Sequence, residues 1–149
     1  MRTALMFFLA LLLMNACAPA VGEDTAQAVA TPEPGPQLVG PVWELVTITL
    51  ATGATLLPGE GDYTLRFTED GRMDAGLDCN SGGSTYGSTA EGSISIGPVV
   101  STLMFCGDDS IAADFTGALQ AATAYNFTGG DLFITTPDGT VLHLAERAG

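Results

Sequence analysis

The sequence predicts an α+β fold: a curved, mainly antiparallel sheet, half-open and barrel-like, with one packed α-helix. Three observations predict it. Apolar and polar residues alternate with period two through several short runs. Turns bearing Gly, Pro or Asp-Gly separate those runs. One stretch, 109–123, instead places its apolar residues at helical spacing.

The elements follow in chain order. Residues 41–50, which include Val42, Trp43, Leu45 and Ile48, are β-branched and aromatic and read as the first strand. Tyr63, Leu65 and Phe67 alternate with Thr64, Arg66 and Thr68, so one face of that strand is apolar. Asp70-Gly71 is a hairpin turn signal. The return strand places Met73, Ala75, Leu77 and Cys79 on an inward face. Asn80-Ser81-Gly82-Gly83 reads as a glycine-rich loop. Ile94 and Ile96 mark another strand. Thr102, Met104 and Cys106 share one face if 99–105 is extended. In the helix, Asp108 or Asp109 is the expected cap, and Ile111, Phe115, Ala118, Leu119 and Ala122 form the stripe. Strands at 124–128, 132–135 and 140–144 finish the chain, turned by Gly129-Gly130 and Pro137-Asp138-Gly139.

Ahead of this domain the chain has a different character. Arg2 precedes an apolar run, residues 4–14, that is too short to span a bilayer and fits the core of a signal peptide covering 1–16. The following Leu13-Met14-Asn15-Ala16-Cys17 resembles the bacterial lipobox, in which the cysteine thiol receives a diacylglyceryl group and the chain is cut just before it. Cleavage after Ala18 or Ala20 is the competing reading. Lipidation of Cys17 would anchor the protein firmly, since each buried methylene contributes about 0.8 kcal/mol. Ala18, by resemblance to the known sorting rule, favours the outer membrane, with the domain in the periplasm. Residues 17–37 hold Pro19, Pro32, Pro34 and Pro36 and no aromatic residue, the composition of a flexible linker. Residues 38–149 then form one domain.

The chain carries 17 acidic residues against four arginines, a formal net charge of −13. Such a surface repels phosphate backbones, which excludes nucleic-acid binding, and it disfavours docking on anionic headgroups. The scattered acids read as a solubilising surface rather than a site.

With Cys17 lipidated, Cys79 and Cys106 remain. In an oxidising periplasm an even remainder suggests one disulfide, and closing that loop contributes roughly 3–4 kcal/mol. Two separate buried thiols are the other reading.

Val42-Trp43-Glu44-Leu45, Asp78-Cys79-Asn80 through Tyr86, Thr102-Leu103-Met104-Phe105-Cys106, then Phe115, Leu119, Tyr125 and Gly130-Asp131-Leu132 occur in an order that resembles the META domain, or HslJ-like, family over residues 41–145. Asp78 stands where that family usually has Gly, and Ser81 where Arg or another polar residue is common. The resemblance implies secreted or envelope proteins, often lipoproteins, linked in some bacteria to heat shock, drug tolerance or motility. It carries over no catalytic residue.

The residues themselves give little catalytic chemistry. His143 is the sole histidine, and no acid or nucleophile motif accompanies it. There is no zinc spacing. Asp78-x-Asn80-x-Gly82 fits a self-capping turn better than a calcium loop, whose twelfth position would be Thr89. Trp43 reads as a core plug rather than a ligand platform. The expectation is a non-enzymatic envelope lipoprotein without metal or cofactor, a small binding or stress-protective module. Its partners would be the membrane, through Cys17, and a protein or small apolar ligand. The alternatives are a lipid- or peptide-binding carrier with an apolar cavity, or an inhibitor of a periplasmic enzyme acting through a loop at 80–92.

Overall fold

The structure, a computed structural model, describes residues 37–148. The expected signal peptide, Cys17 and all of the expected linker except Gln37 lie outside the described residues. Ten strands and one helix follow in the order β1 (Val42–Thr49), β2 (Thr55–Leu56), β3 (Asp62–Phe67), β4 (Arg72–Asp78), β5 (Asn80–Ser88), β6 (Ile94–Ile96), β7 (Val100–Ser101), α1 (Ala112–Ala121), β8 (Ala124–Thr128), β9 (Asp131–Thr135) and β10 (Val141–Glu146).

The ladder runs β6-β5-β4-β3-β1-β10-β9-β8, all antiparallel, with β2 on β1 and β7 on β5. Its two ends meet. Ile94 N–H donates to the Thr123 carbonyl at 3.1 Å and Tyr125 N–H to the Gly92 carbonyl at 2.7 Å. The sheet therefore curls into a nearly closed barrel with a single helix: the mainly antiparallel, barrel-like α+β fold the sequence predicted, with its open side nearly shut.

Period-two alternation sends Trp43, Leu45, Tyr63, Leu65, Phe67, Met73, Leu77, Ile94, Ile96, Leu132, Ile134, Leu142 and Leu144 inward, all buried. Helix α1 packs against β4, β6 and β10 and inserts Phe115 and Leu119, both fully buried. The interior is thus filled by side chains. Trp43 is the expected plug, with its indole N–H donating to the Leu38 carbonyl at 3.1 Å.

Three sequence expectations need correction. Residues 80–83 are not a loop but the start of β5. A Cβ on Gly82 would lie 2.7 Å from the Val100 carbonyl oxygen, and one on Gly83 2.9 Å from that of Met73. These glycines permit close strand approach, and the loop invoked for enzyme inhibition is largely sheet. The helix begins at Ala112, not 109, and neither Asp108 nor Asp109 caps it; Ser110 Oγ accepts the Ala112 N–H at 3.4 Å. The Tyr63 hydroxyl, from β3, accepts the Ile111 N–H at 3.0 Å instead. Finally, regular strand pairing of 99–105 stops after Ser101, and Met104 is exposed rather than inward.

Candidate functional site

Cys79 and Cys106 form a disulfide with Cα atoms 5.5 Å apart, so of the two readings of these thiols the bridge is the one realised. Their expected inward placement is not. Leu77 pairs with Asn80, which leaves Asp78-Cys79 as a two-residue hairpin turn and puts Cys79 at the surface. Asp78 has φ +65°, the conformation for which a tight hairpin ordinarily takes Gly. Its carboxylate accepts the Tyr63 hydroxyl at 3.1 Å. Burial pushes the Tyr63 hydroxyl above its ordinary range, so it stays protonated and able to donate.

The bridge staples the stretch after β7 to the β4–β5 turn, and Asn80 fastens it along its length. Met104 N–H donates to Asn80 Oδ1 at 2.7 Å, and Asn80 Nδ2 donates to the Met104 carbonyl at 2.9 Å. Thr102 Oγ1 donates to Asn80 Oδ1 at 2.9 Å, and Thr102 N–H to the Ser81 carbonyl at 3.0 Å. A side-chain amide has the same donor and acceptor pair as a peptide group, so Asn80 extends the ladder where β5 turns away.

This clamp holds up three consecutive apolar side chains. Leu103, Met104 and Phe105 are 94%, 61% and 83% exposed. With Ala112, Ala113, Thr116, Gly117 and Gln120 of α1 they line an open cleft of about 550 Å³ floored by Leu77. Isolated apolar residues on a surface are ordinary; three contiguous ones held out together by a bridge and an amide are not. A sequence signal for it existed. Three adjacent large apolar residues on an extended chain cannot all face one core.

His143 lies on the outer face of β10. It has an acid partner that sequence reading missed, because the partner comes from β9: His143 Nε2 lies 2.7 Å from Asp131 Oδ2, and the ring stacks on Phe133 at 4.5 Å. Cross-strand register brings the stacked rings together, since His143 pairs with Phe133. Asp78 and Asn80, considered for calcium, are committed to Tyr63 and Met104. Among the described residues no group of three or more His, Cys, Asp or Glu could hold a metal, and no helix is long and apolar enough to cross a membrane.

Together these features define a class: a small antiparallel barrel, plugged by one helix, that presents a disulfide-stapled apolar ridge. The chain belongs to the META domain family, whose model matches residues 36–149. Its fold is similar to that of a Burkholderia xenovorans protein solved by NMR, with TM-score 0.63, 16% identity, and coverage of 93% of this chain and 100% of that one. It is also similar to a DUF4847 family protein from Bacteroides vulgatus, with TM-score 0.54, 12% identity and coverage of 75% and 96%. No curated protein matches the chain.

Proposed function

We propose that this META domain is a non-enzymatic binding module held at the cell envelope by a lipid on Cys17, with the barrel in the periplasm and the outer membrane as its site. The single observation that carries the binding role is the exposed ridge of Leu103, Met104 and Phe105, clamped by the Cys79–Cys106 bridge and the Asn80 amide. An apolar ridge in water costs free energy that a monomer gains nothing from, and contact with a partner recovers it. The filled barrel interior favours recognition at the surface over an enclosed carrier cavity. The apolar run before Cys17 supports export, and the proline-bearing stretch at 17–37 gives the barrel reach from the membrane face.

The test places a photo-cross-linking residue at Leu103 of the full chain in a bacterial envelope, with Leu57, also exposed, as control position. Adducts specific to Leu103, and release from the membrane fraction by Cys17→Ser, are the expected results. No adduct at Leu103, or an enzymatic activity of the purified chain that one point substitution abolishes, overturns the reading.

A further inference from the structure

Resting on the reading of the ridge as a contact surface, we propose that its occupant is an extended, positively charged polypeptide segment that adds as a strand to the outer edge of residues 100–105.

The edge is the first reason. Thr102 directs its N–H to the Ser81 carbonyl, and Met104 directs both its backbone groups to the Asn80 side chain. That alternation is the mark of an extended chain, and it turns the backbone groups of Leu103 and Phe105 to the opposite side. An edge presented in this way is the template that a peptide strand pairs with, main-chain bonds giving affinity and side-chain pockets giving specificity.

Natural edges of this kind are ordinarily blunted by Lys, Pro or a bulge. Here the edge is instead held in place, by the disulfide at Cys106 and by the Asn80 amide. The opposite wall suits a guest. Ala112, Ala113 and Gly117 of α1 are small, and a Cβ placed on Gly117 would meet nothing within 4 Å.

Charge chooses the partner. No charged side chain lines the cleft. The loop between ridge and helix carries exposed Asp108 and Asp109, while Asp114 of α1 faces the neighbouring cleft beside Leu50 and Asp138. Among the described residues the arginines lie elsewhere, at 66 on β3, 72 on β4 and 147 after β10. A second copy of a chain with net charge −13, or an anionic bilayer, meets repulsion at this rim. A strand alternating cationic and apolar residues meets attraction at the rim and apolar surface in the cleft.

The test titrates the full chain, in non-ionic detergent, against two short labelled peptides, one alternating Lys with Val and one alternating Glu with Val. The Lys–Val peptide is expected to bind at least about tenfold tighter, and more weakly as salt rises. Amide exchange at Leu103 and Phe105 is expected to slow on binding. The double substitution Leu103→Ser with Phe105→Ser touches only exposed side chains, so the fold should stand, and it should weaken binding by about tenfold or more.

Binding that ignores this double substitution is attraction to the general acidic surface and overturns the inference. So does equal binding, or no binding, by both peptides. So does a dimer, or adhesion to anionic vesicles, that the double substitution abolishes. If Leu103 captures an envelope protein while the peptides fail to discriminate, the cationic strand is wrong and the contact surface stands. If Leu103 captures nothing, both fall.

Discussion

The side chain of Asn80 and the backbone of Met104 exchange two hydrogen bonds, N–H to Oδ1 at 2.7 Å and Nδ2 to carbonyl at 2.9 Å. Asn80 also accepts from the Thr102 hydroxyl and reaches the Cys106 sulfur at 3.1 Å. One amide thus ties Thr102, Met104 and Cys106 to the β4–β5 turn, and the bridge ties Cys106 to it a second time. Residues 102–105 have no regular ladder of their own, so this amide substitutes for the missing strand neighbour.

Asn80→Ala removes every one of these bonds and leaves the Met104 groups to water. A net hydrogen bond is worth about 1 kcal/mol, so the expected loss is about 2 kcal/mol in urea unfolding, with Cys79–Cys106 intact. Amide exchange at Met104 should accelerate well beyond the global change. Asn80→Asp still accepts the Met104 N–H and the Thr102 hydroxyl but cannot donate to the Met104 carbonyl, so it should cost less than Asn80→Ala, about 1 kcal/mol. Wild-type stability and unchanged exchange in Asn80→Ala would show that the disulfide alone positions the ridge.

Much of the barrel was legible because β-pleating writes itself into sequence. Tyr63, Leu65 and Phe67, then Met73, Ala75 and Leu77, alternate and are all buried. What escaped was set by tertiary contact. Gly82 and Gly83 give a loop signal locally, yet their lack of Cβ serves the approach of Val100 and Met73. Asp108 and Asp109 carry a capping signature, but the bond to the helix start comes from Tyr63, 48 positions away. Cys79 continued the inward alternation on paper, and the turn at Asp78 broke it. Cysteine count alone pointed to the bridge without its surface position.

Asp78 occupies a positive-φ position that a side chain enters at a cost of about 1–3 kcal/mol. It also accepts a hydrogen bond from Tyr63, worth about 1 kcal/mol. Asp78→Gly removes both terms, so its stability should stay within about 1 kcal/mol of wild type. Asp78→Val loses the bond and places a β-branched side chain at positive φ, which should cost about 2–4 kcal/mol. Chemical denaturation at neutral pH compares the two. Equal destabilisation by Gly and Val would assign the position to its carboxylate and not to its backbone.

The β9–β10 turn supplies a pH dependence. The Thr136 hydroxyl and the Thr140 N–H, the latter at 3.0 Å, both donate to Asp138 and hold its carboxyl below the usual carboxylate range. The fold therefore favours the ionised form. This contribution is fully present above the unfolded-state value, near pH 4, and is lost as pH falls through the lower folded value. Asp138→Asn cannot carry the charge. Thermal melts from pH 6 downward should show wild type above Asp138→Asn at the start. The gap should close below about pH 4 as the carboxyl protonates. A gap of constant size across that range would mean that turn geometry, and not the charge on Asp138, sets the difference.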